Sequence, residues 1–228
     1  MALDADAGRS LGGALQLADW RRRVADLYAE VRVLSATDVP AALELWRTTR
    51  ERLFREHPQS PVPLDKRPAF RARHFPADPT LRFEVAVAPD DAPRAPVGGG
   101  FAGLAGLAMD LPMSAGGTMS FSRIGNVEVP FAAGARRLGV YWMAGYAGGI
   151  FLPFRDATSG NETYAAGRYL LDTAKSADLG GDAERGTLIL DFNFAFQPSC
   201  AFDPKWACPL APPENRLDMP IRAGERLA

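Results

Sequence analysis

The chain has 228 residues and a formal net charge of −1, from 26 basic and 27 acidic side chains. A charge this close to zero argues against a nucleic-acid-binding surface built on bulk positive charge. Hydrophobic residues make up 47% of the chain, which is enough for a core without disulfides and excludes collagen, coiled coil and wholesale disorder. The 22 glycines and 19 prolines exceed the usual combined share of about 12%, which favours turns and short strands over long helices.

The N-terminal 20 residues contain acids and no apolar run of signal-peptide length. No later stretch approaches the roughly 18 uncharged apolar residues that a membrane span needs. These patterns predict a cytoplasmic protein with neither a membrane nor a nucleic acid as partner. In that setting Cys200 and Cys208 are expected to be thiols rather than a disulfide.

Two helices are predicted first. Apolar residues recur at three- and four-residue spacing from Leu17 to Leu34, beside a basic triplet at 21–23 that we interpret as a solvated face. Asp38 is expected to cap a second helix, whose apolar stripe shares its side with Arg50 and His57. The sequence HPQSP at 57–61 ends this helix, because residues before proline avoid helical angles.

The hydrophobic period changes to two near residue 81, where apolar residues alternate with polar or small ones up to residue 88. Further strands are predicted near 101–109, 118–123, 127–131, 137–143, 150–154, 163–171, 187–197 and 219–222. No amphipathic helix separates these strands, which argues against parallel βαβ units. The predicted fold is therefore mainly β (α+β), an antiparallel barrel or sandwich preceded by two N-terminal helices.

The predicted domain organisation has three parts. Residues 1–14 are expected to be a disordered N-terminus, and residues 15–80 a helical appendage that packs on the barrel. Residues 81–228 form the barrel domain, with a long covering segment at its C-terminal end. That segment, 198–216, contains five prolines and so should lack regular strands, while its apolar side chains predict that it is packed.

Two short motifs are interpreted conservatively. A GxGxxG pattern at Gly98, Gly100 and Gly103 has no helix after it, so a glycine-rich strand or loop is favoured over a nucleotide site. Cys200 and Cys208 lack the CxxC spacing of zinc sites, so two buried, reduced cysteines are favoured over metal or redox chemistry. The sequence predicts no cofactor and no metal.

The stretch from 151 to 170, FLPFRDATSGNETYAAGRYL, places charged and hydroxyl side chains among aromatic ones. One interpretation is a capped turn with solvated charges, since Asp, Thr and Ser side chains bond nearby backbone amides. The other is a polar cluster at a barrel mouth. In an extended chain Glu162 and Arg168 share a face but lie some 20 Å apart, so they would need Asp191 and Asn193 from a neighbouring strand.

The C-terminal half resembles a bacterial and archaeal family known as domain-of-unknown-function family 1684. The resemblance is based on the stretch above, on LDFNFAFQPSCAFDPKWACPLAPPENRL and on the closing IRAGE, and it extends more loosely back to Trp46. The chain departs from the family pattern at YAAGRY (164–169), at Gln197 and at His74. The resemblance implies a family identity and no reaction.

We expect the barrel to bind a small polar or anionic organic ligand and to act on it, by a reaction that the sequence does not name. Arg168 would bind the anionic group through its forked donors. The candidate acid or base groups are Glu162, Asp191 and His57. The other candidate ligand-binding residues are Asn193, Tyr164, Asp156, Ser159, Glu214, Asn215 and Arg50. The alternative is a non-catalytic binding or interaction module in which the same polar residues are structural. The sequence does not indicate an oligomeric state.

Overall fold

The computed structural model describes residues 5–89, 95–96, 105–145 and 148–227. The chain divides into two compact units, Met1–Arg71 (the helical unit) and Ala72–Ala228 (the β unit). The GxGxxG pattern at Gly98, Gly100 and Gly103 lies outside the described residues.

The helical unit consists of two helices, α1 (Ala5–Leu34) and α2 (Val39–Glu56). The predicted cap of α2 is confirmed, since Asp38 accepts a hydrogen bond of 2.9 Å from the Ala41 backbone N–H. The two helices pack through the buried Trp46, whose indole N–H donates to the Tyr28 hydroxyl at 3.1 Å. α1 begins well ahead of its apolar stripe, so it overlaps the segment 1–14 predicted to be disordered.

The β unit contains a curled antiparallel sheet, a half-barrel, and a separate two-stranded pair. The strands are β1 (Arg73–His74), β2 (Arg82–Ala88), β3 (Ala95–Pro96), β4 (Ala105–Pro112), β5 (Thr118–Phe131), β6 (Gly134–Met143), β7 (Ile150–Phe154), β8 (Arg168–Asp172), β9 (Gly181–Asp182), β10 (Thr187–Asp191) and β11 (Glu225–Arg226). The sheet order is β8-β7-β6-β5-β2-β10-β9, with β4 paired to β5 and β3 paired to β4, while β1 pairs with β11. The predicted class, mainly β with two N-terminal helices, is confirmed.

The concave face of the half-barrel is filled by apolar side chains from β2, β5, β6, β7, β8 and β10. Phe192 lies among these side chains and packs edge-on against Phe83 and Phe154. The alternation that predicted these strands is produced by this core, because only every second residue of a strand faces it.

Several predicted strand limits are wrong. The two strands predicted at 118–123 and 127–131 are one strand, β5, interrupted by a bulge between Arg123 and Gly125. The bulge requires glycine at position 125, because a Cβ there would lie 2.5 Å from the Ala88 carbonyl oxygen, which is too close. The strand predicted at 163–171 begins only at Arg168, and 219–222 forms no strand.

The strand predicted at 187–197 ends at Asp191. The Asp191 carboxylate accepts a hydrogen bond of 2.9 Å from the Asn193 backbone N–H, which starts a 3-10 turn at Phe192–Phe194. The polar residues that alternate with aromatic ones after residue 190 therefore form no solvent-facing side, because residues 190–198 are all buried. The polar side chains of this segment bond to buried backbone instead of lining one face.

Candidate functional site

Arg168 is the centre of a buried polar network in the β unit. It begins β8, and its side chain is 1% exposed beside an Asp156 side chain that is 0% exposed. The guanidinium donates to Asp156 at 2.8 Å and to the carbonyl oxygens of Ile221, Ala223 and Glu225. Burial lowers the pKa of Arg168, while the Asp156 carboxylate opposes that shift. These bonds use four of the five guanidinium N–H groups, which leaves little donor capacity for a ligand.

Asp156 also organises the turn that follows it. One carboxylate oxygen accepts the backbone N–H of Thr158, and the other accepts that of Ile221 at 3.1 Å. The Ser159 hydroxyl accepts the Asp156 backbone N–H at 3.2 Å. These contacts give the capped turn that the sequence allowed as the first interpretation of this stretch.

Glu162 is not part of the Arg168 pair. Both oxygens of its carboxylate accept from the single Nε–H of Arg222, at 3.0 and 3.1 Å. The Arg222 side chain is 61% exposed. The hydrogen bond from Arg222 lowers the pKa of Glu162. A lowered pKa keeps this carboxylate ionised, which is unlike a general acid at neutral pH.

Asp191 and Asn193 form a second buried cluster, as partners of each other rather than of Arg168. The Asn193 amide donates to Asp191 and to the Asp78 carbonyl, both at 2.8 Å, and accepts the Asp78 N–H. The remaining Asp191 oxygen accepts from Arg82 at 3.1 Å. This cluster fixes the chain entering β2 against the end of β10.

Asn215 and Glu214 lie on the 3-10 turn at Pro213–Asn215. Asn215 is fully buried, and its side-chain amide accepts the Gly139 N–H at 2.7 Å and donates to two backbone carbonyls. The more exposed Glu214 accepts the Tyr141 hydroxyl at 2.9 Å and pairs with Arg123 at 3.5 Å. The amide of Asn215 therefore replaces a strand partner for β6.

Two residues missed in the sequence complete the network around Arg168. Glu225 is 3% exposed, and its carboxylate accepts the Gln197 backbone N–H at 2.7 Å. The Gln197 side chain accepts the Tyr164 backbone N–H at 3.1 Å. The only sequence signal for Glu225 was its place in the closing IRAGE motif.

His57 and Arg50 belong to the helical unit. His57 accepts the Gln59 backbone N–H at Nδ1, 3.0 Å away, so its Nε2 carries the proton and donates to Asp19 at 3.2 Å. That hydrogen bond lowers the pKa of Asp19. Arg50 stacks its guanidinium over the Phe54 ring, 4.4 Å from the centroid.

A groove of about 450 Å³ runs along the helical unit beside His57. Its lining mixes charged and apolar side chains from α1, α2 and the segment after α2: Leu15, Gln16, Asp19, Arg23, Arg52, Leu53, Glu56, His57 and Pro58. Of the residues predicted as a site, His57 alone is among them.

Neither a metal cluster nor a membrane span is found where the structure can be described. No group of three or more His, Cys, Asp and Glu side chains there could hold a metal ion. None of the helices described is long and apolar enough to cross a membrane.

Comparison with known proteins identifies relatives of this chain. The family model described as "Protein of unknown function (DUF1684)" matches residues 70–226. A solution NMR structure of the uncharacterized protein from gene locus rrnAC0354 of Haloarcula marismortui is 29% identical, with a TM-score of 0.56. The match covers 85% of this chain and 96% of that one. A search of curated proteins finds no match. Since the family model covers more than half of the sequence, the chain belongs to family DUF1684, a family of proteins of unknown function.

Proposed function

We propose that the protein is a non-catalytic binding module for a small polar ligand that carries a carboxylate, and that this ligand occupies the groove of the helical unit. One observation carries the proposal, namely an open groove of about 450 Å³ with charged and apolar walls. Small-molecule sites commonly measure about 300–1,000 Å³. The sequence also led us to expect a small ligand, but at the polar residues of the β unit rather than in the helical unit.

Arg52 is the anchor for the ligand's carboxylate. It lies exposed on α2, and its side chain makes no hydrogen bond or ion pair with any residue that the structure describes. The other arginine of the groove, Arg23, already donates to Asp19 at 2.8 Å. A guanidinium offers a carboxylate two parallel donors, so Arg52 supplies the unused recognition group. Leu15 and Leu53 supply apolar contact for the ligand's carbon skeleton.

The polar residues of the β unit serve as a scaffold in this proposal. Arg168, Asp191 and Asn215 each use their polar atoms to bond buried backbone groups or neighbouring side chains. A ligand would have to displace those contacts, and each displaced buried group costs about 1–3 kcal/mol. His57 likewise has both ring nitrogens engaged, so it forms a wall of the groove rather than a base.

The two histidines of the chain make the proposal testable by NMR. Because His57 and His74 are the only histidines, imidazole ¹H–¹⁵N spectra contain two sets of signals, which a His74→Gln variant assigns. Succinate and citrate are titrated separately into the ¹⁵N-labelled chain. We expect either carboxylate to shift the His57 signals in a saturable way and to leave His74 unchanged.

Two arginine variants separate the groove from general surface charge. Arg52→Gln should weaken the carboxylate's affinity by about fivefold, the size of an exposed charge pair. Arg21→Gln, an exposed change on α1 outside the groove lining, should leave the affinity unchanged. Equal effects of the two variants, or His57 signals that neither carboxylate moves, would overturn the proposal.

A further inference from the structure

The C-terminal segment brings Cys200 and Cys208 into contact. Cys200 lies on a 3-10 turn at Ser199–Ala201, and its backbone N–H donates to the Cys208 Sγ at 3.3 Å. Both cysteines are free thiols. We call these two residues the thiol pair.

The backbone holds the thiol pair in place. The Cys208 N–H donates to the Ser114 hydroxyl at 3.0 Å, and the Cys208 carbonyl accepts the Ser114 N–H at 2.9 Å. The Ser114 hydroxyl in turn donates to the Trp206 carbonyl at 3.0 Å. These bonds connect the segment to the chain just after β4 and hold the backbone of Cys208 through both its N–H and its carbonyl.

The pKa values of the two thiols are shifted in opposite directions. The hydrogen bond from Cys208 is the main cause that lowers the pKa of Cys200 to about 6, with the Ser114 and Tyr164 hydroxyls adding to it. Donation to Cys200 and burial raise the pKa of Cys208. Burial also raises the pKa of Tyr164 to about 12, so its phenol stays protonated beside Cys200. At neutral pH the pair therefore holds one thiolate and one thiol.

We propose that the thiol pair is a reversible redox site, which a hydroperoxide oxidises to an intramolecular Cys200–Cys208 disulfide. The Cys200 thiolate attacks the peroxide, forming an S–O bond as the O–O bond breaks, and the leaving oxygen takes a proton. The Cys208 sulfur then attacks the Cys200 sulfur and expels the hydroxyl group, which leaves as water with the Cys208 proton. With hydrogen peroxide, two thiols lose two electrons and two protons, and two waters form.

The geometry suits both steps. A disulfide bond is about 2.05 Å long, and the Cys208 sulfur already lies 3.3 Å from the backbone nitrogen of Cys200. Cys200 is 5% exposed, which admits a small oxidant better than a bulky one. Ser114, beside the pair, is exposed, and Tyr164 is half-buried. The proposal does not depend on the groove of the helical unit.

Hydrogen peroxide and the full-length chain provide the test. Non-reducing peptide mapping should show a Cys200–Cys208 disulfide and a loss of two hydrogens from the intact mass, both reversed by dithiothreitol. In the Cys208→Ser variant, dimedone should trap a sulfenic acid on Cys200. In the matched Cys200→Ser variant, Cys208 should remain unlabelled over the same time, because burial still raises the pKa of its thiol when Cys200 is absent.

A comparison of the native and the urea-unfolded wild-type chain keeps the test independent of variant folding. At neutral pH a larger fraction of Cys200 is thiolate in the native chain than in the unfolded chain, although a thiolate of lower pKa is a weaker nucleophile. Together these two effects should make native oxidation about fourfold faster. The proximity of the two cysteines in the native chain should increase the rate of disulfide formation further. Native oxidation slower than unfolded oxidation would overturn the proposal. So would dimedone labelling of Cys208 in place of Cys200, or a stable sulfenic acid in the wild-type chain with no disulfide.

Discussion

Replacing Arg168 with methionine tests whether the buried polar network is a scaffold. Methionine fills much of the arginine stem's volume and donates no hydrogen bonds. The change removes the partner of Asp156 and the donor to the carbonyls of Ile221, Ala223 and Glu225. It also removes the guanidinium that lies 5.1 Å from the centroid of the Phe154 ring.

The expected loss of stability is large. Removing one partner of a buried ion pair costs about 3–5 kcal/mol, because it leaves the other charge uncompensated. Each buried carbonyl that loses its donor adds about 1 kcal/mol. We expect Arg168→Met to lower the free energy of unfolding by about 5 kcal/mol or more, a large part of the roughly 5–15 kcal/mol typical of a domain. The corresponding fall in melting temperature is about 10–20 °C.

Urea denaturation followed by circular dichroism measures this loss, with Arg222→Met as the matched control. Arg222 pairs with Glu162 through a side chain that is 61% exposed, so its loss should leave the free energy of unfolding almost unchanged. Equal stabilities of the Arg168→Met and Arg222→Met proteins would refute the scaffold interpretation, since a ligand-binding arginine can be lost without unfolding the chain.

The sequence predicted the fold wherever one side of an element faces a core. The apolar stripe and the Asp38 cap located α2, and alternation located β2, β6 and β7 to within a few residues. It failed at 187–197, because the polar residues that alternate with aromatic ones there are buried and bond to backbone, so the period of two does not indicate a strand. The turn there is started by a side-chain bond from Asp191 to the Asn193 backbone, which alternation does not report.

The sequence identified many of the polar residues that are buried, but not their partners. Arg168 was expected to face Asp191 and Asn193 from a neighbouring strand, whereas its carboxylate partner is Asp156, twelve residues earlier. Its other partners are carbonyls of the C-terminal segment, and every residue type carries a backbone carbonyl. Neither the composition nor the spacing of side chains could therefore identify that segment as a partner of Arg168. The contact between the two thiols likewise depends on how residues 198–210 fold back onto the end of β4.

Three further predictions follow from other contacts. Asn215→Ala should cost about 2–4 kcal/mol of stability in urea, because it leaves buried backbone groups unpaired, while Glu214→Ala, on the same turn, should cost under about 1 kcal/mol. Gly224→Ala should cost at least about 2 kcal/mol, because φ is +75° there and a Cβ would lie 2.4 Å from a backbone carbonyl oxygen. Stability under reducing conditions should depend on pH through Cys200. Its pKa is about 6 when folded and 9.0 ordinarily, so between these values the unfolded chain binds more protons and stability rises with pH. This contribution is complete near pH 9 and is lost as the pH falls through 6. Above pH 9 the raised pKa of Cys208 acts in the opposite sense, since the folded chain then keeps a proton that the unfolded chain loses. Urea midpoints of the wild-type and Cys200→Ser chains should therefore diverge as the pH rises from 6 to 9, and parallel curves would show that Cys200 titrates alike in both states.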